Sequence, residues 1–430
     1  MRVLWVCNIM LPVIAQALGE EYSVREGWLS GILGRILDTP SDAGEDLQLG
    51  ICFPKQTEPA EFSKKIALGA FSREIACYGF AENLTAPELD EPGLEARFAE
   101  ILADFKPDLV HIFGTEFGHS YACAKAWNKP ERTLLGIQGL CTSIAEHYDA
   151  DLPASVIRSV TLRDFLRKDS ICQQKEKFVK RAVREEKTIA LAGHITGRTE
   201  FDKNRSLQSN PCAEYHFMNE TMRSSFYQGS WAIANCHRHE IFVSQADYPL
   251  KGFHYLLEAM PEILKTAPDT TICVAGNSIL GTGGIKSLLK LPAYGVYLRR
   301  LIRRNHLQGK IRVLGRMQEE QMKQAYLSCH VFVCPSAVEN SPNSVAEAQL
   351  LGVPVAASNA GGIPSVVEHE TSGLLFEKGN AKELAKTICR IFEDDGFARN
   401  LSEKERIFAA QKYDGDANFQ RLLEIYGEIL

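Results

Sequence analysis

The sequence predicts an α/β fold with two parallel sheets, because short apolar runs alternate with helical stretches along its 430 residues. Such alternation is typical of parallel sheets with helices on both faces. The apolar runs are continuous rather than alternating, which favours strands buried on both sides. The nine predicted strands are Val3–Val6, Leu109–Phe113, Leu134–Ile137, Thr188–Leu191, Ile241–Ser244, Thr271–Val274, Ile311–Leu314, Val331–Cys334 and Val353–Ala357.

The length and composition fit a globular protein with two domains. A chain of 430 residues can bury two large cores, and 45% apolar with 24% charged residues is ordinary for such proteins. The net charge of −6 gives no reason to expect nucleic-acid binding. The first residues, Met1–Cys7, have the pattern of a strand rather than of a signal peptide. No apolar run approaches 18 residues, so we expect no membrane span.

The twelve cysteines are scattered and form no C-x-x-C pair. Many lie in apolar runs, such as Cys273 and Cys334. This pattern indicates buried thiols in a reducing cytoplasm rather than disulfides or structural zinc. We therefore expect a cytoplasmic protein with no metal site and no cofactor.

The domain boundary is predicted just ahead of the strand at Ile241, near residues 232–240. This gives an N-terminal domain over residues 1–235 and a C-terminal domain over 236–415. The last segment, 416–430, has helical spacing. Two parallel sheets side by side would leave a cleft at the carboxyl ends of their strands, where open α/β sheets bind ligands.

Two carboxylates eight residues apart, Glu339 and Glu347, flank a predicted helix start. The strand Val331–Cys334 precedes them, Ser341 and Pro342 read as cap and first helical residue, and Gly352 ends the helix. A helix N-terminus can bind phosphate, and a carboxylate can accept two hydroxyl hydrogen bonds. A sugar nucleotide would satisfy both. The alternative is a capped turn between strand and helix with two solvated acids.

This stretch resembles the Glu-x7-Glu motif of the family-4 retaining glycosyltransferases, which have the GT-B fold. The resemblance continues over Ala348–Val355, Gly361–Pro364 and Glu368–Phe376, and upstream over Val243–Gln245, Lys251–Gly252, Val274–Asn277 and Val313–Gly315. The N-terminal half matches more loosely, at Asp108–His111. The resemblance implies two Rossmann-like domains facing a central cleft, with the nucleotide sugar bound by the C-terminal one. It also implies that the final helix crosses back to the N-terminal domain.

The resemblance implies the following roles in binding the donor. Lys251 would grip the diphosphate, Glu347 would bond the ribose, and Glu339 would face the transferred sugar. The backbone amides of Asn343, Ser344 and Val345 would meet the phosphates, Gly276 would allow close backbone approach, and Gly315 and Arg316 would lie at the base. Relatives carry an arginine about five residues before this lysine, but Ser244–Tyr248 offers none. One diphosphate-binding cation is therefore missing.

The acceptor side is less clearly defined by the sequence. Family members often carry a histidine after the strand equivalent to Leu134–Ile137, and here that place holds Gln138. Gln138 would be a neutral hydrogen-bonding group beside the transferred sugar. His111 is a second candidate, although a core histidine is the alternative. Glu116 and His119 follow the same strand and are predicted to line the acceptor side.

Two basic stretches, residues 158–187 and 297–304, could lie on an anionic membrane surface. A solvated helix face balanced by acids such as Asp164 and Glu185 is the alternative for the first stretch, and a basic patch beside the diphosphate for the second. With a lipid-linked acceptor, these stretches would place the protein at the inner face of the plasma membrane.

The sequence thus predicts a retaining hexosyltransferase that moves a sugar from a nucleoside diphosphate sugar to a hydroxyl of a glycan or lipid-linked acceptor. The resemblance to capsule and exopolysaccharide enzymes implies bacterial surface polysaccharide biosynthesis. Two alternatives remain. One is a GT-B phosphorylase or epimerase, and the other is a non-catalytic subunit that binds nucleotide sugars.

Overall fold

The structure is a computed structural model that describes residues 1–21, 27–39, 47–277, 280–281 and 290–430. The chain forms two compact units. Unit 1 comprises Met1–Thr142, Phe178–Arg223 and Tyr413–Leu430, and unit 2 comprises Ser143–Lys177 and Ser224–Lys412. The chain therefore passes from one unit to the other four times.

Unit 1 contains an eight-stranded sheet in the order β3-β4-β2-β1-β5-β6-β7-β8. Its strands are β1 (Arg2–Val6), β2 (Gln48–Pro54), β3 (Phe62–Leu68), β4 (Arg73–Phe80), β5 (Leu109–Phe113), β6 (Thr133–Gly136), β7 (His194–Gly197) and β8 (Glu214–Phe217). All neighbours are parallel except β3 and β4, which pair antiparallel. The central strand β5 is buried along its whole length, as the continuous apolar run predicts.

Unit 2 contains a six-stranded parallel sheet in the order β11-β10-β9-β12-β13-β14. Its strands are β9 (Glu240–Val243), β10 (Thr271–Ala275), β11 (Ile311–Gly315), β12 (Val331–Cys334), β13 (Val355–Asn359) and β14 (Leu374–Glu377). The order reverses between β9 and β12, so the loops after these two strands flank the place where such sheets bind ligands.

Helices connect the strands in both units. They are α1 (Pro12–Leu18), α2 (Gly27–Asp38), α3 (Leu94–Phe105), α4 (Gly118–Trp127), α5 (Cys141–His147), α6 (Ala154–Ile157), α7 (Leu162–Arg167), α8 (Ile171–Ala190), α9 (Glu200–Ser209), α10 (Phe253–Thr266), α11 (Ala293–Arg304), α12 (Glu319–Ser328), α13 (Asn343–Leu351), α14 (Ala381–Glu393), α15 (Asp395–Lys412) and α16 (Gly415–Ile429). Among the residues that the structure describes, no helix is long and apolar enough to span a bilayer.

Eight of the nine predicted strands coincide with observed ones to within two residues, and the ninth is wrong. The run Thr188–Leu191 continues helix α8, and the strand β7 follows at His194. Its apolar residues keep the helical spacing of the preceding residues, so a short apolar window alone misled the assignment. The prediction that Cys273 and Cys334 are buried is confirmed.

The two units differ in detail from the predicted domain limits. The second segment of unit 2 begins at Ser224 rather than 236, and the chain returns to unit 1 at Tyr413 rather than 416. Residues 143–177, which lie inside the predicted N-terminal domain, pack with unit 2. Their anchor is the loop before α6, where the Ala150 carbonyl accepts from His254 Nε2 and the Tyr255 hydroxyl, each at 2.9 Å. The functional roles of the two domains stay predictions.

Helix α16 packs within unit 1 through a buried polar contact. The Tyr426 hydroxyl lies 2.8 Å from Trp5 Nε1 and 2.8 Å from His111 Nδ1, so the helix contacts β1 and β5 together. Arg132 also donates to the carbonyl of Ile429 at 2.9 Å. The C-terminal segment therefore completes the core of unit 1.

Candidate active site

The loop after β12 and the start of α13 form the centre of the candidate site in unit 2. The helix begins at Asn343 with Pro342 as its cap residue, one residue later than predicted. Proline offers no side-chain acceptor, so the helix itself satisfies neither the Asn343 nor the Ser344 amide. The Val345 amide donates to the Pro342 carbonyl at 2.9 Å, which leaves it less available than the sequence suggested. Gly352 ends the helix with a φ of 71°, as predicted.

Glu347 lies on the second turn of α13 and is 8% exposed. Its Oε2 atom is 3.3 Å from the hydroxyl of Tyr326, which also lies 3.0 Å from the Ser344 carbonyl. Tyr326 is fully buried. A rigid aromatic ring therefore fixes both the helix start and the carboxylate, so Glu347 is not the solvated acid of the alternative interpretation.

Glu339 forms an ion pair with Lys251, although 88 residues separate them in sequence. Lys251 Nζ lies 2.6 Å from Glu339 Oε1, and the Ser336 hydroxyl donates to the same oxygen at 2.7 Å. The two side chains are only 21% and 16% exposed. Burial alone lowers the pKa of Lys251, but the Glu339 charge more than offsets it and raises that pKa well above its ordinary value. The lysine is therefore a permanent cation at this point.

Two glycines allow close main-chain contacts around the Lys251–Glu339 ion pair. Gly252 has a φ of +64°, and a Cβ there would lie 1.8 Å from the Pro335 carbonyl oxygen. Gly361 has a φ of +57°, and a Cβ there would lie 2.2 Å from the Glu339 carbonyl oxygen. Both positions favour glycine because the left-handed conformation is strained for other residues. The turn that carries Lys251 and the loop that carries Glu339 are thus in direct main-chain contact.

A chain of hydrogen bonds connects the ends of β9, β10 and β11. The Asn277 side chain donates from Nδ2 to Asp247 at 2.8 Å and accepts from Arg316 Nε at 2.9 Å. The Gly276 amide donates to the Gly315 carbonyl at 2.9 Å. The structure therefore places the predicted Gly276, Gly315 and Arg316 beside one another.

A cavity of about 460 Å³ within unit 2 adjoins this chain of hydrogen bonds. Its wall includes Tyr248, Asn277 and Arg316, together with three basic residues from outside the predicted motif, namely Arg163, Arg167 and Lys290. Arg163 pairs with Asp164 at 3.0 Å and Asp169 at 2.7 Å. Residues 143–177 thus contribute cations to the cavity of the unit that holds Lys251.

Gln138 in unit 1 is the last member of a series of hydrogen-bonded polar side chains. Its Oε1 accepts from Asn8 Nδ2 at 3.3 Å, Asn8 Oδ1 is 3.0 Å from His119 Nε2, and His119 Nδ1 is 2.5 Å from Glu82 Oε2. Burial alone raises the pKa of Glu82, but His119 and two amides outweigh it, so that pKa is lowered. The ionised Glu82 carboxylate holds the His119 ring by a hydrogen bond, and the His119 ring in turn orients the Asn8 side chain toward Gln138.

The loop that carries Gln138 is fixed by two carboxylates. Glu116 accepts from the amides of Thr115 and Gly139 at 2.9 and 2.8 Å. Glu185 is fully buried and accepts from the amides of Cys141 and Thr142 at 2.7 and 2.9 Å. Glu116 therefore positions the loop, and Glu185 caps α5 instead of balancing a solvated face.

His111 and His119 do not reach the surface of unit 1, contrary to their predicted place on the acceptor side. Both are 0% exposed. Burial lowers the pKa of His111 to about 3, so it is neutral, and its ring contacts Phe113 with a centroid separation of 3.9 Å. His111 is the core histidine of the alternative interpretation, and His119 acts through Asn8.

Glu82, Asn8 and Glu185 are the residues that sequence reasoning missed. Each meets its partner across 37 or more positions of sequence, so no local spacing indicates them. The one sequence signal for these residues is the position of Asn8, which lies just after the first predicted strand. Strand ends are where such sheets place their functional side chains.

Comparison with known protein families gives a match to the part of unit 2 that holds the candidate site. Residues 235–408 match the family described as "Glycosyl transferases group 1". An uncharacterized glycosyltransferase of Methanocaldococcus jannaschii is 27% identical over 186 residues, which cover 43% of this chain and 44% of that protein. N,N'-diacetylbacillosaminyl-diphospho-undecaprenol alpha-1,3-N-acetylgalactosaminyltransferase of Campylobacter jejuni is 32% identical over 103 residues, covering 24% and 27%. These matches span less than half of each relative.

The structural likeness extends over the whole chain. Anabaena HepE in complex with UDP-glucose aligns with a TM-score of 0.65 and 16% identity, covering 100% of both chains. At this identity the likeness establishes the fold, which agrees with the two parallel-sheet units described above. The chain therefore has the GT-B fold, and its residues 235–408 carry the sequence pattern of the glycosyl transferases group 1 family.

Proposed function

We propose that this protein is a retaining glycosyltransferase that moves a hexose-type sugar from a nucleoside diphosphate sugar to a hydroxyl acceptor. The observation that carries the proposal is the Lys251–Glu339 pair next to the start of α13, with Glu347 held by Tyr326 on the same helix. This arrangement offers a permanent cation, two helix amides and two carboxylates, which match a diphosphate and the hydroxyls on either side of it.

The proposed chemistry is mainly electrostatic. The bond between the anomeric carbon and the diphosphate oxygen breaks, the acceptor oxygen forms its bond on the same face of the sugar, and the proton of the acceptor hydroxyl passes to the departing diphosphate. Lys251 and the amides of Asn343 and Ser344 stabilise the charge that develops on the leaving diphosphate. Glu339 lies beside the positive character that develops at the sugar, and Glu347 binds the ribose. Lys290, which lines the cavity, is the cation through which it compensates for the absent arginine.

The direct test is donor cleavage and transfer in the presence of EDTA. UDP-, GDP- and ADP-sugars are incubated with the purified protein and an acceptor mixture, and release of the nucleoside diphosphate is followed. We expect one donor class to be used at the same rate with and without EDTA, because Lys251 and the helix amides supply the positive charge. A loss of activity that Mg²⁺ or Mn²⁺ restores would contradict metal independence.

The same assay separates the alternatives. Cleavage that depends on phosphate or arsenate would indicate a phosphorylase, and conversion of the donor sugar without release of diphosphate would indicate an epimerase. Tight nucleotide binding without turnover would indicate a non-catalytic subunit. The anomeric configuration of the isolated product tests retention directly.

We further propose that the acceptor is lipid-linked and that the protein meets an anionic membrane surface, as in bacterial surface polysaccharide biosynthesis. The name of the Campylobacter jejuni relative specifies a diphospho-undecaprenol acceptor. Support within this chain comes from α7 and the residues before it. Val160, Leu162, Phe165 and Leu166 are 56%, 63%, 71% and 70% exposed. Arg158, Arg167 and Lys168 are exposed around them, so apolar and basic groups share one surface.

Contacts on the opposite side of helix α7 hold the helix to the rest of unit 2, so these apolar side chains stay exposed. Asp164 is 1% exposed and accepts from the Ala293 amide at 2.9 Å, and the Thr161 hydroxyl donates to the Leu291 carbonyl at 2.9 Å. The second basic stretch lies on α11, where Arg300, Arg303 and Arg304 are exposed. The Asp164 carboxylate of α7 is therefore buried within unit 2, whereas Arg300, Arg303 and Arg304 of α11 are exposed.

The double substitution Phe165→Ser and Leu166→Ser should weaken binding to phosphatidylglycerol vesicles by about tenfold or more, because two apolar side chains no longer enter the interface. Vesicle flotation at low and high salt measures this, and binding should fade with salt. Ile407→Ser removes a side chain of similar exposure (63%) in the same unit and serves as the control. Equal binding of both variants, or equal binding to phosphatidylcholine vesicles, would contradict the proposal.

A further inference from the structure

Two adjacent strands of unit 1 place three metal-ligating side chains together. His194 begins β7, and Glu214 and His216 lie on β8, the last strand of the sheet. The parallel register pairs His194 with Glu214 and Thr196 with His216. One ligand atom from each of the three residues lies within 4.8 Å of the others. No local motif indicates this cluster, because 22 positions separate the two histidines in sequence.

The distances suit a metal bound between the two rings. His194 Nδ1 is 3.0 Å from His216 Nε2, and Glu214 Oε2 is 3.8 Å from His194 Nδ1. A zinc ion that bonds two imidazole nitrogens tetrahedrally at about 2.1 Å holds them roughly 3.4 Å apart, so the two rings need to separate by about 0.4 Å on binding. The Glu214 side chain is 66% exposed, so it can move toward the nitrogens without disturbing the core.

Each ring also has a partner outside the pair. His216 Nδ1 faces Glu428 Oε2 on α16 at 3.1 Å, and the His194 ring hydrogen-bonds the main chain of Glu131. A carboxylate on the far nitrogen is the arrangement that orients metal-ligating histidines. When each ring donates its N–H to its outer partner, the two nitrogens that face each other carry lone pairs. A cation between them relieves the repulsion that results.

The two rings are shielded from solvent, whereas the carboxylate is accessible. The His216 side chain is 3% exposed, the His194 side chain is 15% exposed and the Glu214 side chain is 66% exposed, so a metal ion can enter the site from the side of Glu214.

We propose that His194 Nδ1, His216 Nε2 and Glu214 form a site for a first-row divalent metal ion, with Zn²⁺ as the favoured occupant and water completing the coordination. Two nitrogens and one carboxylate oxygen are a ligand set that zinc accepts. The site lies in unit 1, whereas Lys251 and Glu339 lie in unit 2, and it is independent of the proposed transfer reaction. Its role is structural: it joins β7 to the terminal strand β8 and, through Glu428, to α16.

Zinc binding by the apo-protein tests the proposal. The protein, carrying Cys172→Ser and Cys212→Ser to remove its two exposed thiols, is stripped with EDTA and titrated with ZnCl₂ in a calorimeter. We expect one site per chain and a rise in the unfolding temperature on binding. His194→Ala and His216→Ala should each weaken binding at least tenfold, and Glu428→Gln should weaken it by roughly tenfold as an outer partner.

His237→Ala is the matched control, because His237 also lies near a glutamate, Glu240, at 3.4 Å but has no second histidine as a ligand partner. It should leave the zinc affinity unchanged. Zinc binding that survives the double variant His194→Ala and His216→Ala would overturn the proposal. Absence of binding by the parent protein would do the same and would establish the two rings as a simple hydrogen-bonded pair. Transfer activity measured in parallel should survive EDTA, so the outcome does not depend on the proposed function.

Discussion

Replacing Glu339 by glutamine should lower turnover by about 10²–10³-fold, while the affinity for the free nucleoside diphosphate changes little. Glutamine keeps the size of the side chain but removes the negative charge beside the sugar, where positive character develops in the transition state. Its amide oxygen can still accept a hydrogen bond from Lys251, so the position of the lysine and the diphosphate affinity should change little. The loss should therefore appear in kcat rather than in diphosphate binding. Single-turnover kinetics and calorimetry with the bare diphosphate measure the two quantities.

Glu370→Gln is the matched control, because Glu370 forms an exposed ion pair with Arg390 in the same unit. It should change neither quantity. Ser336→Ala removes only the hydroxyl that donates to Glu339, so it should give a smaller loss of turnover in the same direction. Normal turnover of Glu339→Gln would remove the main support for the proposed reaction.

Replacing Glu347 by alanine should weaken binding of the bare diphosphate by about ten- to a hundred-fold, which corresponds to the loss of charge-assisted hydrogen bonds worth roughly 1.5–3 kcal/mol. The expected effect differs from that of Glu339→Gln, because ribose contacts are already present in the ground state. Calorimetry with the diphosphate measures it, and circular dichroism checks that α13 still forms.

The substitution Tyr326→Phe distinguishes the proposed contact of Glu347 with the ribose from the positioning of Glu347 by Tyr326. The phenylalanine keeps the aromatic core but removes the hydroxyl near Glu347 and the Ser344 carbonyl. We expect a smaller loss of affinity than for Glu347→Ala. If both variants bind the diphosphate normally, Glu347 is a structural residue and the ribose assignment is wrong.

The sequence predicted those parts of the fold and site that depend on local pattern. The strand Val331–Cys334, the following helix and its end at Gly352 are encoded within about twenty residues, and all are observed. Six observed strands escaped prediction, namely β2, β3, β4, β7, β8 and β14. In β3 the cause is visible, because half of the strand faces solvent and its polar residues mask the run. The strand predicted at Thr188–Leu191 is wrong for the opposite reason, because an apolar run fits the end of a helix as well as a strand.

The polar contacts of the site depend on tertiary structure and could not be read from spacing. The pairing of Lys251 with Glu339 and the burial of Glu185 require the folded sheets. Resemblance to a family predicted which residues would meet the donor, but it did not predict that Lys251 and Glu339 form an ion pair. The same limit applies to residues 143–177, whose packing with unit 2 has no signal in their composition.

The four passages of the chain between the units have a consequence for biosynthesis. Unit 1 is completed only by Tyr413–Leu430, where Tyr426 reaches Trp5 and His111 across more than 300 residues. A nascent chain that has been translated as far as Arg223 therefore contains neither finished unit, although multidomain chains generally fold from the N-terminus as they emerge. Both cores must wait for translation of later segments, and the closing of such long loops is slow. The nascent chain is thus exposed to aggregation and to chaperones until α16 has left the ribosomal tunnel.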